Sequence, residues 1–233
     1  MTAAVPAAAV APHVWRIVPK RPSFTTAIQD VFSKVGTAYL GLVGDAWELT
    51  PPVVDAGEIQ EGDWPMEMGE PMPNGDAAYH DFDGLPFAAV AVDDANPMGC
   101  LPAALHEAGE GTVNPEANLT VPAIGGGPPI LVEICDPFGG WFWMMDDQYQ
   151  VPDFAFPAYF LEGQPGPYDF RNDGKAPQVP FDGYQFTAAG LISQVLGTVA
   201  PDKLAAIKAG KRRVGHASGV CLCGSVTNHR SAK

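Results

Sequence analysis

The sequence predicts an α+β protein, in which short strands and a few helices are joined by many loops. Its 233 residues are 46% hydrophobic, which is enough to fill a core. The 26 glycines and 24 prolines interrupt the apolar segments and predict short elements. Between these interruptions, both helical periodicity and strand-like runs occur. We expect an extended, weakly ordered arm at 1–22, the main domain over 23–200 and a basic helix or tail at 201–233.

The first half of the domain is predicted to begin with a helix and to continue as strands. Apolar residues recur at helical spacing over 23–39. The segment 46–54 then indicates a strand that is broken by prolines. Two short strands around a turn at 74–75 are expected within 63–81. The most apolar run, 85–94, lies between two acidic turn segments and is the clearest strand of the chain.

The second half is predicted to start with a helix over 96–111, for which Asn96 is the candidate N-cap. A glycine-rich turn and a strand at 130–135 should follow. The next segment, 137–185, is rich in aromatic residues and in loop-forming residues. One or two helices are expected over 186–210. This half is therefore more irregular than the first.

The helix at 96–111 carries a motif that indicates a metal site. His106, Glu107 and Glu110 follow the order His-Glu-x-x-Glu, whereas the metalloprotease signature is His-Glu-x-x-His. Residues four apart share one face of a helix, so His106 and Glu110 can bind one ion. Zinc accepts imidazole nitrogen and carboxylate oxygen. Glu107 points toward the edge of that face, where a general base can reach a metal-bound water. The alternative is a solvated acidic helix.

A third ligand must come from another segment. The candidates are Glu133 and Asp136 in “VEICDP”, or Asn114, Glu116 and Asn118 in “NPEAN”. Cys135 shares a strand face with Glu133 if that strand is regular, so it is either a sulfur ligand or a buried structural cysteine.

Several blocks around the motif resemble a family of zincin-like metalloproteins of phage and bacterial genomes, whose members are inferred to be metallopeptidases. The blocks keep the order and approximate spacing of that family over residues 24–187. They are “AIQDVF” (27–32), “AAYHD” (77–81), “DGLPFAAVAV” (83–92), “HEAGEGTVNPEAN” (106–118), “VEICDP” (132–137), “VPDFAFPAYF” (151–160) and “GYQF” (183–186).

The resemblance implies a zincin-like fold with a twisted mixed sheet beside the motif helix. It implies that His106 and Glu110 are metal ligands and that Glu107 is the catalytic base. Glu133 or Asp136 would be the next ligand. We favour Glu133, because a glutamate reaches farther and the Asp136-Pro137 pair also suits a turn.

Two residues depart from the family pattern. Gly109 stands where the family has leucine, which removes a packing side chain and weakens the helix. Asn114-Pro115 replaces Asp-Pro, so any metal contact of that aspartate is lost. Metal binding stays plausible with these changes, but catalysis is in question, because a fold can outlast its chemistry.

His80, four aspartates and the aromatic segment each have two possible interpretations. His80 either contacts a substrate or is a hydrogen-bonded structural histidine. The carboxylates of Asp81, Asp83, Asp93 and Asp94 either bind calcium or are solvated turn residues, since no EF-hand spacing is present. The aromatic segment 139–149 is either an exposed recognition loop or a buried strand.

Charge is distributed unevenly along the chain. Residues 23–201 hold 26 acidic and three basic residues, a net charge of −23, whereas 202–233 hold seven basic residues and one acidic residue. The acidic domain repels nucleic acid and attracts cations. The N-terminus is a poor signal peptide, and no apolar run is long enough for a transmembrane helix. We therefore expect neither nucleic acid nor membrane as a partner.

Two functions are compatible with these observations. The first is a zinc-dependent peptidase that uses a metal-activated water and acts on a peptide substrate. The second is a virion structural protein (capsid, decoration or tail-associated) that keeps the fold without catalysis and contacts other virion proteins or itself. The expected location is accordingly the virion or the cytoplasm of the host cell.

Overall fold

The fold is built around a mixed sheet of five strands. A computed structural model describes residues 12–70, 72, 77–121, 130–138, 141–160 and 166–171. The strands are β1 (Val14–Pro19), β2 (Val53–Ala56), β3 (Trp64–Gly69), β4 (Ala78–Phe82) and β5 (Pro86–Ala91). They lie in the order β2-β1-β3-β5-β4. Neighbouring strands are parallel except for β4, which pairs antiparallel with β5.

Two helices pack with this sheet, which makes the architecture α+β. Helix α1 (Thr26–Trp47) connects β1 to β2, and its buried stripe includes Phe32, Tyr39 and Val43. A helical crossover of this kind is what joins parallel strands. Helix α2 (Leu101–Val113) follows a 3-10 helix at Pro97–Cys100, and all of its residues are buried. It contacts α1, β4 and β5, so it runs through the interior of the protein.

Smaller elements complete the described part. Strands β6 (Thr120–Val121) and β7 (Ile130–Leu131) form a short antiparallel ladder. Strands β8 (Phe142–Met145) and β9 (Tyr149–Pro152) form a hairpin, and β9 packs against α2. Two further 3-10 helices span Asp136–Phe138 and Pro157–Phe160. No helix in these ranges is both long and apolar enough to cross a bilayer.

Most predicted elements are confirmed with shifted ends. The predicted helix over 23–39 corresponds to α1, which continues to Trp47 because its apolar stripe also continues. The strands predicted within 63–81 and 85–94 are β3, β4 and β5. The helix predicted over 96–111 is α2, together with the 3-10 helix before it. Within the aromatic segment 139–149, residues 142–149 belong to the β8–β9 hairpin, in which Met145 is buried and Met144 is half exposed.

Three secondary-structure predictions need correction. Val14–Pro19, assigned to a weakly ordered arm, is instead β1, where Trp15 and Ile17 are buried and strands pair on both sides. The strand predicted over 46–54 is displaced to Val53–Ala56, because α1 continues through Trp47. The strand predicted over 130–135 is limited to Ile130–Leu131, because the chain then turns toward α2.

Several other predictions lie outside the described residues. They are the start of the N-terminal arm (1–11), the turn at 74–75, the glycine-rich turn, the block at 183–186, the helices over 186–210 and the basic tail.

Candidate metal centre

The predicted site residues meet in the interior, on one side of α2. Helix α2 supplies His106, Glu107 and Glu110, strand β4 supplies His80, and the segment after β7 supplies Glu133 and Asp136. Glu107 and Glu110 are fully buried, and His80, His106 and Glu133 are at most 4% exposed. The alternative of a solvated acidic helix is therefore wrong.

Small residues allow α2 to lie this deep. A Cβ added at Gly111 would lie 2.8 Å from the ring of Trp15, so only glycine permits this approach to β1. A Cβ at Gly109 would lie 3.4 Å from the ring of Tyr39 and 3.5 Å from Cys135 Sγ. Tyr39 thus occupies the space into which a larger side chain at position 109 would project.

Asn114 has a structural role at the end of α2. Its side-chain oxygen accepts hydrogen bonds from the backbone N–H groups of Asn118 and Leu119, at 2.8 and 2.7 Å. Its amide nitrogen donates to the carbonyl of Val132 at 3.2 Å. An aspartate in this place could not make the last bond. Asn114 therefore tethers the segment that carries Glu133 and Asp136, while Glu116 is exposed and accepts a bond from Asn118.

The first group of candidate ligand atoms surrounds His106. Its Nε2 atom lies 3.2 Å from Glu110 Oε1 and 3.0 Å from Asp136 Oδ1. Donors bound to one tetrahedral zinc ion at 2.0–2.2 Å are about 3.3–3.6 Å apart. The observed spacing is only a few tenths of an ångström shorter. Cys135 Sγ also lies within 4.8 Å of His106 and Glu110 donor atoms, so the sulfur can join this group.

His80 gathers the second group. Its Nδ1 atom lies 3.0 Å from Glu107 Oε2 and 3.5 Å from Glu110 Oε2. Its Nε2 atom lies 3.5 Å from Glu133 Oε2. Glu133, which the sequence analysis favoured as the third metal ligand, thus lies near His80. Asp136 is the residue of this segment that contacts His106. His80 has the predicted hydrogen bond, whereas its contact with a substrate stays a prediction.

The concentration of carboxylates changes the pKa values of this site. Burial lowers the pKa of His80, but the carboxylates of Glu133, Glu107 and Glu110 outweigh burial and raise it to about 9. Burial also opposes the charge on His106, yet Glu110 and Asp136 raise its pKa well above the usual value. Burial raises the pKa of Glu110, against the opposing effect of His106. The site therefore favours bound protons or another positive charge.

The donor atoms fit a metal ion. Glu110 Oε2 and Asp136 Oδ2 are buried and accept no hydrogen bond from any residue that the structure describes, although buried carboxylate oxygens are normally paired. His106, Glu110 and Cys135 form one possible ligand group, and His80, Glu110 and Glu133 form another. These buried His, Glu and Cys side chains can hold a metal ion.

The predicted calcium aspartates lie elsewhere. Asp93 accepts a hydrogen bond from the backbone of Ala95, and Asp94 pairs with Arg21. Neither belongs to a possible metal group among the described residues, and the same holds for Asp81 and Asp83.

One neighbour of the site was not predicted from the sequence. Tyr39, on α1, places its hydroxyl 3.5 Å from Cys135 Sγ. Burial raises the pKa of both groups well above their usual values, so both are neutral without a metal. The helix predicted over 23–39 includes Tyr39, but nothing in its sequence pointed to Cys135.

Comparisons of the chain with protein-family models, with curated proteins and with solved structures gave no match. The zincin-like resemblance accordingly stays an expectation.

Proposed function

We propose that this protein is a zincin-like metalloprotein in which His106 and Glu110 hold a zinc ion together with Asp136, whose carboxylate contacts His106, or Cys135, whose sulfur lies within 4.8 Å of the donor atoms of both. The observation that carries the proposal is the approach of Glu110 Oε1 and Asp136 Oδ1 to His106 Nε2, at 3.2 and 3.0 Å. One nitrogen and two carboxylate oxygens are a ligand set that zinc accepts. Asp136 is preferred here to Glu133, the ligand favoured from the sequence, because Asp136 lies in contact with His106 and Glu133 lies near His80.

Zinc content tests this proposal. Purified wild type should retain zinc after dialysis, whereas the double variant His106→Ala/Glu110→Ala should lose it, as measured by inductively coupled plasma mass spectrometry. A matched control is His13→Ala/Glu116→Ala, which removes the same two residue types from exposed positions. Equal zinc in all three proteins, or none in the wild type, would rule out this site.

A zinc ion in such a site would supply a Lewis acid and an acidified water, which is the chemistry of peptide hydrolysis. Glu107 follows His106 on α2 and would be the general base of this proposal. Its Oε2 atom lies 3.0 Å from His80 Nδ1, and a hydrogen bond donated by His80 would hold the Glu107 carboxylate in place. Glu107→Gln should keep zinc and abolish cleavage of a peptide library. Cleavage at an unchanged rate would remove Glu107 from this role.

A scaffold without catalysis is the second candidate, and the burial of the site favours it. Glu107 and Glu110 have no exposed surface, and peptide hydrolysis would require the segments beside α2 to open. A virion component of this kind would be present at many copies in purified particles. Quantitative mass spectrometry of particles tests this role, and absence from them would eliminate it.

A further inference from the structure

The zinc ion proposed above engages only the His106 side of the cluster. On the other side, His80, Glu110 and Glu133 each place a donor atom within 4.8 Å of the other two. Within the described part of the chain, His80 Nε2 is buried and makes no hydrogen bond, and Glu133 Oε2 is 3.5 Å away. A buried imidazole nitrogen beside carboxylate oxygens that are too distant for a hydrogen bond fits a cation between them.

Glu110 connects the two sides of the cluster. Its Oε1 atom lies 3.2 Å from His106 Nε2, and its Oε2 atom lies 3.5 Å from His80 Nδ1, on the other side of the cluster. A carboxylate whose two oxygens face different donor groups can bridge two metal ions. In two-metal sites such ions are about 3.5–4 Å apart, a separation that one carboxylate can span.

Charge favours two ions over one. The cluster contains four carboxylates, from Glu107, Glu110, Glu133 and Asp136, and two imidazoles. With all four carboxylates ionised and both imidazoles neutral, one divalent ion leaves these side chains with a net charge of −2. Two divalent ions neutralise them. Dinuclear carboxylate centres in helix bundles also combine four carboxylates with two histidines, an analogy of composition and not of fold, and here Glu107 would be the carboxylate that does not coordinate.

We infer that the protein binds a second divalent cation at His80, Glu110 and Glu133, so that Glu110 bridges two ions. His80 Nε2 coordinates this ion, and His80 Nδ1–H donates to Glu107 Oε2 at 3.0 Å, which fixes the orientation of the ring. One nitrogen and two carboxylates suit Mn²⁺ or Fe²⁺ as well as Zn²⁺. The inference rests on the proposed function because it shares Glu110 with the first site.

Metal stoichiometry separates the two proposals. Metal-free protein is dialysed to equilibrium against Mn²⁺ or Zn²⁺ and analysed for metal per chain. Wild type and a His13→Ala control should bind two ions, whereas His80→Gln and His106→Ala should each bind one. Glu133→Gln provides a second variant of the His80 side in case His80→Gln fails to fold. In Mn²⁺-loaded wild type, electron paramagnetic resonance should show an exchange-coupled pair, and in Glu133→Gln an isolated ion.

The possible failures are distinct. One ion in the wild type that persists in His80→Gln and disappears in His106→Ala overturns the second site and leaves the first. One ion that disappears in His80→Gln and persists in His106→Ala overturns the proposed zinc ligands. No bound metal overturns both. Two bound ions without exchange coupling would contradict the bridge by Glu110.

Discussion

In two charged clusters of this protein, the negative charge of the carboxylates is balanced in different ways. Arg16, on β1, donates from Nε to Asp63 Oδ2 at 2.8 Å and pairs with Asp55 through Nη1. The hydrogen bond that Arg16 donates to Asp63 raises the pKa of Arg16. Burial raises the pKa of Asp63, but bonds from Arg16 and Gln60 outweigh it and lower that pKa. Here the chain supplies its own permanent cation.

The cluster on α2 combines its carboxylates with imidazoles, whose charge depends on bound protons. The pKa values of His80 and His106 are both raised by the surrounding carboxylates. A guanidinium stays charged at any ordinary pH, whereas an imidazole can exchange its proton for a metal ion. The difference indicates that the Arg16 cluster is structural, while the α2 cluster is suited to binding an exchangeable cation.

The largest expected effect is a stability change with pH in the metal-free protein. The folded pKa of His80 is about 9, compared with 6.5 as its ordinary value. Its contribution is therefore fully present below pH 6.5 and is lost as the pH rises through 9. This difference corresponds to a loss on the order of 3 kcal/mol, and the raised pKa of His106 acts in the same direction.

Urea denaturation in the presence of a chelator, between pH 6 and pH 9.5, measures this loss. His80→Gln should flatten the curve. The Arg16 cluster behaves in the opposite sense, because the lowered pKa of Asp63 stabilises the fold above its ordinary value of 3.8 and this contribution is lost on acidification. A wild-type stability that does not change from pH 6.5 to pH 9.5 would contradict the proposed protonation of the α2 cluster.

Removing the permanent cation should cost nearly as much. Arg16→Met leaves the buried carboxylate of Asp63 without its charged donor, and we expect a loss of about 3 kcal/mol at pH 7. The control is Lys20→Met, which breaks the exposed pair of Lys20 with Glu67 at 3.2 Å and should change stability by less than about 1 kcal/mol. Equal losses in the two variants would show that the Arg16 pair adds no more than a surface ion pair.

Zinc should supply the missing cation of the α2 cluster. At a free concentration of one hundred times Kd, a ligand that binds only the folded state stabilises it by about 2.7 kcal/mol. Thermal unfolding with and without zinc measures this gain. Glu110→Gln should abolish it, because Glu110 contacts both histidines, while Glu116→Gln should retain it. A full zinc effect in Glu110→Gln would separate the metal from this cluster.

The smallest effect tests packing around α2 without altering charge. Gly109→Ala places a Cβ at ordinary contact distance from Tyr39 and improves helix propensity, so a gain of up to about 1 kcal/mol is expected. Gly111→Ala should instead be destabilising, because its Cβ would lie 2.8 Å from Trp15. Denaturant midpoints measure both. A loss in Gly109→Ala as large as that in Gly111→Ala would show that Tyr39 cannot accommodate a methyl group.

Local patterns predicted the elements that depend on neighbouring residues. The sequence predicts the strand β5 and the helix that carries His106 to Glu110, because the pattern of apolar residues in each is local. Strand β1 was missed because its alaninе- and proline-rich surroundings and its arginine are typical of an arm. Its alternating Trp15 and Ile17 were a usable signal, but the partners of β1 begin only at Val53 and Trp64.

The choice between Glu133 and Asp136 as the proposed third ligand could not be made from the sequence, for a related reason. Glu133 and Asp136 are three residues apart, and on the predicted strand they would point to opposite faces. The chain instead leaves the ladder after Leu131, and Glu110 Oε1 accepts hydrogen bonds from the backbone of Cys135 and Asp136. This tertiary contact directs Asp136 to His106 and Glu133 to His80. No local pattern carries that information.

The complete burial of α2 has a kinetic consequence for any ion held there. An ion surrounded by α2, β4 and the segment after β7 can leave only when part of the protein opens. When the chelator captures the ion faster than the open segment closes again, the release rate should equal the local opening rate. It should then not depend on the chelator concentration. The exchange time of the metal would therefore measure how often this part of the protein opens.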